Sequence, residues 1–405
     1  MRALSRPPYR EQVLRSRNAV MVTFALNGFC FASWVSRIPE ARSGLDLSNG
    51  ALGSLLLTMA IGSLLTLPTT GSMIGRWGAA AVVRFGVAIG TVGLALAAVG
   101  AGTAASIPLT VVGLFAYGIG TGVWDVAMNV EGAAVEHQLR RTIMPRFHAG
   151  FSLGTVAGAA IGALTTATDV PMEWHLLAVA STALMVVLVA TRGFLPHAAP
   201  AETAANASPR SAFAAWREPR TLLIGLMVFA LAVTEGSAND WLAIALIDGY
   251  DVEHWVGVAG FGLFVTAMTT GRIIGPALLD RHGRAAVLWT TMAAAALGVL
   301  LIAYGGHPAV VIAGIVLWGA GASLGFPVGM SAAADDPAHA AARVSVVSTI
   351  AYAAFLAGPP LLGFLADEVG ALHALLAVSI LLVPSALLVP AARPPARKVE
   401  PGSAT

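Results

Sequence analysis

Apolar stretches of about 20 residues, each long enough to cross ~30 Å of hydrocarbon as a helix, recur along this chain from Asn18 to Ala391. Nothing else in the sequence constrains the fold as tightly. Backbone in lipid has no water to bond to, so each such stretch satisfies its own N–H and C=O groups by forming a helix. The runs fall at roughly 18–39, 49–70, 79–100, 107–132, 147–168, 173–192, 220–246, 255–278, 285–304, 308–331, 344–366 and 371–391. Twelve spans make this an all-α, multi-pass membrane protein. The composition agrees: 57% of the 405 residues are hydrophobic and only 11% are charged, about half the charged fraction that a soluble surface carries.

Arginine placement predicts the orientation, because basic residues favour the cytoplasmic side. Arg2, Arg6, Arg10, Arg15 and Arg17 precede the first span. The even-numbered connections carry Arg76, then Arg140, Arg141 and Arg146, then Arg192, Arg210 and Arg217, then Arg281 and Arg284, then Arg343. Arg393, Arg397 and Lys398 follow the last span. Arg42 is the one basic residue of the odd-numbered connections, where Asp169, Glu173, Asp248, Asp251, Glu253, Asp367 and Glu368 collect. Both termini are therefore expected in the cytoplasm, and the protein in the cytoplasmic (inner) membrane. The basic start lacks the apolar core and cleavage site of a signal peptide. Cys30 stands alone and can form no intrachain disulfide. A net charge of +2, dispersed over loops, gives nucleic acid no basic patch to bind.

The connection at 193–219 contains "HAAPAETAANASPRS", an Ala/Pro/Ser-rich linker. It divides the chain into a tail at 1–17, a six-helix bundle at 18–192, the linker, a second bundle at 220–391 and a tail at 392–405. The halves resemble each other. "YGIGTGVWDVAMN" at 117–129 lies over "WGAGASLGFPVGM" at 318–330, and "GAAIGALTT" near residue 158 over "GPPLLGFLA" near 358. "ALNGFCFASW" and "AVTEGSANDW" end at Trp34 and Trp241. Duplicated units of this kind mark secondary transporters, whose substrate site lies between the repeats.

Polar residues in hydrocarbon are costly and normally face a cavity or a partner. Spans 1, 4, 5, 7 and 8 carry Asn27 and Arg37; Asp125, Asn129 and Glu131; His148; Glu235, Asn239 and Asp240; and Arg272. Spans 3, 6, 9 and 12 carry no ionisable residue away from their ends, which suggests that they face lipid. Asp125 and Asn129 are one turn apart and share a face, whereas Glu131 points elsewhere and reads as a solvated or Arg-paired helix end. Asp125 either carries a proton or holds its span in place. Glu235 is the acid nearest to midspan, with Asn239 one turn on; it is either a reversible proton carrier or a neutral side chain bonded to a neighbouring helix. Asp125 and Glu235 are thus the candidate proton-coupling sites. Asn27, Trp34, Trp124, Asn129, His148, Asn239 and Trp241 are the candidates for the substrate path, although tryptophan is also common at membrane interfaces. Arg37 and Asp240 lie near the outer ends of spans 1 and 7, where they either close an outer gate or snorkel separately. The glycines at 150, 154, 158 and 162 form a small-residue stripe suited to close helix packing.

The sequence has no GxxxxGK[ST] nucleotide loop, no His/Cys metal cluster and no convincing Ser/His/Asp set. We expect no cofactor, no metal and no enzyme activity. The connections after spans 2 and 8 read "GSMIGRWGAA" (71–80) and "PALLDRHGRA" (276–285). They resemble the G-x-x-x-D-R-x-G-R signature of the major facilitator superfamily, a likeness that extends over the twelve spans and implies two pseudo-symmetric six-helix bundles. By that family's pattern, the acid of each signature pairs with a base at the start of span 11 or span 5. The resemblance implies a cytoplasmic latch between Asp280 and Arg146, and leaves Arg343 without an equivalent acid because Gly75 stands in that place. Arg76, Arg146, Asp280, Arg281, Arg284 and Arg343 are the cytoplasmic gate candidates. "DVAMN" followed by "RFHAGFSLG" resembles spans 4–5 of fucose-permease-type sugar/proton symporters, which implies proton coupling at Asp125 and substrate contact at Asn129 and His148. The chain as a whole is similar to the MosC-like branch, which is linked to inositol-derivative metabolism.

The expected activity is alternating-access transport of a small polar solute (a sugar, polyol or inositol derivative), coupled to protons as symport, by a monomer in the bilayer. The rivals are proton-antiport efflux of drugs or metabolites and, further off, a non-transporting membrane sensor. Span 5 lacks the Gly-Pro motif usual in drug antiporters of the superfamily, which argues for uptake.

Overall fold

The computed structural model describes residues 7–139, 143–196, 215–336 and 339–394. Arg2, Arg6, Arg140, Arg141, Arg210, Arg397 and Lys398, together with most of the 193–219 linker, lie outside the described residues. Every regular element among the described residues is a helix. The first half contains α1 (Pro7–Val35), α2 (Ile38–Gly44), α3 (Asn49–Trp77), α4 (Ala79–Ala101), α5 (Ile107–Leu139), α6 (Met144–Ala167) and α7 (Met172–Ala190). The second contains α8 (Pro219–Tyr250), α9 (His254–Tyr304), α10 (Pro308–Ala322), α11 (Gly325–Ala333), α12 (Ala340–Val369), α13 (Ala371–Ala374) and α14 (Leu376–Ala386). Proline opens α1, α8 and α10, where its missing N–H has no helical partner to lose.

Ten of these helical stretches are long and apolar enough to cross a membrane. The 51-residue α9 supplies two crossings, because it breaks at Gly283 (φ 74°, ψ 162°). The shorter apolar stretch Ala371–Ala386 supplies the twelfth. Span 10 is not one helix as expected. It is interrupted at Ser323 and Leu324, between α10 and α11, within the Gly/Pro-rich "GASLGFP". At the other extreme, α1 starts at Pro7, so residues 7–17 continue the first span as helix. The helix-forming run "REQVLRSR" needs no lipid to stay helical once it is anchored to a long span.

The duplication is written into the backbone. Among the described residues the positive-φ positions fall into four pairs, one member in each half: Asp46 with Asp251, Gly78 with Gly283, Ala105 with Gly306, and Asp169 with Gly370. Each pair marks the same inter-span turn in the two bundles. Gly78 (φ 79°, ψ 156°) repeats the Gly283 geometry closely, in a region that side chains with a Cβ rarely adopt.

The halves meet mainly along α3 with α12 and α6 with α9, with a smaller contact between α2 and α8. Within the first half, the glycine stripe of α6 packs directly on α1: a Cβ on Gly158 would lie 2.6 Å from the Phe29 carbonyl oxygen. Met185 and Val189 of α7, and Ile380 and Val383 of α14, are more than 60% exposed. Apolar surface of that kind is what a membrane protein presents to lipid.

Candidate substrate cavity

Between the two halves lies a cavity of about 320 Å³, lined by α1, α3, α5 and α6 from one side and by α8 and α12 from the other. Helices α4, α7, α9, α10 and α14 contribute no lining residue. On α1, Asn27, Phe31 and Trp34 follow i, i+4, i+7 spacing and so form one stripe facing the cavity. On α8, Glu235, Asn239 and Asp240 do the same within little more than a turn. Asp125 faces them from α5, and Tyr352 and Phe355 complete the wall from α12.

Asp125 and Asn129 behave as their spacing predicts. The Asn129 amide donates to the Asp125 backbone carbonyl at 2.9 Å and to its Oδ1 at 3.3 Å. Asn129 is therefore behind the carboxylate, and it is not among the lining residues. Glu235 is in a different position. The Arg272 guanidinium of α9 donates through Nη2 to both of its carboxylate oxygens at 2.9 Å. Arg272 also reaches the Ser323 carbonyl at 3.3 Å, an oxygen left without a helical partner by the α10–α11 break. A charge in hydrocarbon is held by a partner of this kind.

Other expectations are corrected. Glu131 is neither solvated nor paired with arginine: it is 5% exposed and accepts from the Ser16 hydroxyl at 2.7 Å and the Leu195 N–H at 2.6 Å. The continuation of α1 through residues 7–17 is what brings Ser16 there. Arg37 and Asp240 form no gate pair. The chain turns at the end of α1 and buries Arg37 in its own half, against Glu40, His175 Nδ1 (3.0 Å) and the Val170 carbonyl (3.0 Å). Asp240 lines the cavity instead. Trp124 and Trp241, each 1% exposed, pack into the helix cores rather than the cavity. Each adjoins an acid in sequence, and one residue of helix turns it about 100° away. His148 is exposed, lies edge-on to Phe24 with centroids 5.2 Å apart, and is not a lining residue.

The two ends of the bundle differ. At the end formed by the odd-numbered connections, Arg42 pairs with Asp248 across the halves. There Asp367, from the end of α12, caps the start of α3: its carboxylate accepts the Asn49 and Gly50 N–H groups at 2.8 Å and the Ser48 hydroxyl at 3.1 Å. At the even end a set of ion pairs among the described residues joins helices of the second half. Asp335 joins Arg220 and Arg284 at 2.7 Å, and Arg343 joins Glu218 at 2.6 Å and Asp336 at 3.2 Å. The Arg343 hydrogen bond holds the Glu218 carboxyl below its ordinary range. Asp280 and Arg146 do not pair with each other, and Arg76, Arg146, Asp280 and Arg281 are exposed. The ion pair and the helix cap at the odd end thus tie the two halves together there. Asp335 and Asp367 were missed from sequence because each sits where loop acids are ordinary.

The chain is 32% identical to an uncharacterized transporter of Sinorhizobium fredii over 367 residues, 88% of this chain and 92% of that one. It is 28% identical to membrane protein MosC of Rhizobium meliloti over 359 residues, 88% and 85% of the two chains. Among solved structures, a variant of the nucleoside transporter NupG matches with a TM-score of 0.77 at 16% identity, over 94% of this chain and 99% of that one. The E. coli fucose:proton symporter FucP matches with a TM-score of 0.63 at 15% identity, over 92% and 97%. The sequence model of the Major Facilitator Superfamily matches residues 19–344 and 254–405. Twelve spans, paired halves and a cavity between them agree with that match, and the chain belongs to the Major Facilitator Superfamily.

Proposed function

We propose that this transporter moves a small polar solute, a sugar, polyol or inositol derivative, by alternating access with proton symport. It would sit in the cytoplasmic membrane with both termini inside and work as a monomer. The observation that carries the reading is the cavity between the halves, where carboxylates and amides from both bundles converge at the depth where repeat-built transporters hold substrate. In the proposed orientation the odd end is outside, and this conformation is inward-facing.

Asp125 is the proton site we favour, since its partner is a neutral amide that tolerates either protonation state. Glu235 is the second, with Arg272 as the group its proton would displace. Asn27, Trp34 and Asn239 would contact the solute directly, whereas Asn129 acts through Asp125. Closing the even end would bring Arg146 and Asp280 together while the Asp367 cap and the Arg42–Asp248 pair release.

Proton-antiport efflux remains a second reading, because the cavity carries more aromatic surface than the sequence led us to expect: Phe31, Trp34, Phe151, Tyr352 and Phe355. Uptake into proteoliposomes of a panel of sugars, polyols and drugs, with and without a pH gradient, separates the readings. Inward accumulation of a polar solute driven by an inward proton gradient supports symport. Accumulation driven only by an outward gradient establishes antiport, and gradient-independent movement removes coupling.

A further inference from the structure

Three carboxylates line the central cavity, and among its lining residues there is no lysine, arginine or histidine. Their circumstances differ. Glu235 is neutralised by Arg272. Asp125 is held by the Asn129 amide. Asp240 has no hydrogen-bond or ion-pair partner among the described residues, although it lies on the cavity wall within a helix long and apolar enough to cross a membrane. An acid left without a partner there is held either for a proton or for a cation.

Two further observations point to a ligand. Asn27 is 6% exposed and Trp34 is fully buried; both line the cavity, and neither the Asn27 amide nitrogen nor the Trp34 indole nitrogen has a hydrogen-bond partner. Buried donors are nearly always satisfied in native structures. The indole nitrogens of Trp124, Trp241 and Trp318 are unpaired too. Among the described residues, Asn27 and Trp34 are the two such donors whose side chains line the cavity, where acceptor oxygens of a solute can reach them. Aromatic faces contributed by both halves, Phe31 and Tyr352 among them, favour a positive charge over a neutral group. A volume of about 320 Å³ is at the small end of ligand pockets, which run from ~300 Å³ upwards.

We propose that the transported solute bears a protonated amine together with hydroxyl or ether oxygens. The ammonium pairs with Asp240, the oxygens accept from Asn27 and Trp34, and Asp125 is left for the coupling proton. This rests on reading the central cavity as the transport site. It adds a sign of charge to the polar solute proposed above, and a reason for the acid on α8 to stay unpaired in the empty protein.

The test is calorimetric titration of the protein in lipid nanodiscs at pH 7 with matched compounds. The series are D-glucose, D-glucosamine and D-glucuronate; D-sorbitol, 1-amino-1-deoxy-D-sorbitol and D-gluconate; and myo-inositol with its monoamine. In at least one series the amine should bind about tenfold or more tighter than the neutral compound, as a charge-assisted contact implies, and the acid should bind weakest. Asp240→Asn, nearly isosteric, should erase that preference while retaining the neutral compound's affinity, and Asp240→Glu should restore part of it. Trp34→Phe should weaken amine and neutral compounds alike. Equal affinity for amine and neutral compound, or a preference that survives in Asp240→Asn, overturns the proposal and leaves a neutral-solute transporter standing. Binding of no compound in any series overturns both.

Discussion

The two halves each set an acid into the same cavity and treat it differently. In the first half, Asp125 is backed by a side chain of its own helix one turn on, an amide that can meet a charged or a neutral carboxyl. In the second, Glu235 is clasped by a full charge from the neighbouring helix, at 2.9 Å to both oxygens. The first arrangement allows a proton to come and go at small structural cost. The second locks two helices together until the proton or another group separates them. The bundles are duplicates in topology, and their polar contents differ: one acid is backed by a neutral amide and the other is clasped by a guanidinium.

The largest expected effect breaks the clamp. Arg272→Gln leaves Glu235 in the cavity wall without its cation. Removing one member of a fully buried pair costs ~3–5 kcal/mol, an upper bound for this partly buried one. We expect a marked fall in the detergent melting temperature, with much of it recovered when Glu235→Gln is added, since the double variant buries no net charge. Failure of the double variant to recover would make Arg272 important for the Ser323 carbonyl at the α10–α11 break rather than for Glu235.

Asp125→Asn addresses the other side of the comparison. It should leave the melting temperature nearly unchanged, because the amide keeps the contact with Asn129. Gradient-driven uptake should fall by about tenfold or more, the usual weight of a positioned proton-transfer group being ~10²–10⁴. Solute counterflow without a gradient should persist. Full coupled transport by this variant would shift the proton site to Glu235.

A smaller effect is expected at the odd end. Asp367→Ala removes three acceptor contacts to the start of α3, each worth about 1 kcal/mol net. That should shift the population towards the opposite-facing state. A cysteine replacing Ser63 in the cavity should then be labelled several-fold faster from the odd end, measured in vesicles in a Cys30→Ser background.

The smallest effect is outside the membrane, at Glu218 and Arg343. The folded protein holds the Glu218 carboxyl below its unfolded value, with the Arg343 hydrogen bond as the main cause. A depressed carboxylate contributes stability that is complete above the unfolded value and is lost as pH falls through the folded one. Glu218→Gln should therefore cost less than ~1 kcal/mol at pH 7, as expected of a partly exposed pair. The difference from the parent should begin to shrink only as pH falls below the ordinary carboxylate value of about 4.3, and should vanish in melts below the depressed folded value.

Hydropathy made the spans legible, including spans 8 and 9 as two crossings on either side of the break at Gly283, and i,i+4 spacing made the Asp125–Asn129 contact legible. It did not reveal which way each helix is turned. Trp124 and Trp241 read as substrate-path residues, yet helical rotation points them into packed cores. Arg37 and Asp240 read as partners because they lie at similar depth, and the turn after α1 sends Arg37 towards His175 instead. Glu131 looked like an ordinary helix end because its partner, Ser16, fell in a segment read as a tail.

By itself, then, the sequence determined the number of crossings, the duplication and the residues that lie within the hydrocarbon, since each follows from local composition and from the backbone's need to bond to itself in lipid. Only the tertiary structure decided which buried charges meet. Glu235 and Arg272 stand 37 residues apart on adjacent helices, and Asp367 caps a helix more than 300 residues away. Such pairings depend on how the helices are rotated and shifted against one another. Those variables are set by packing across both halves, which no local stretch of the chain contains.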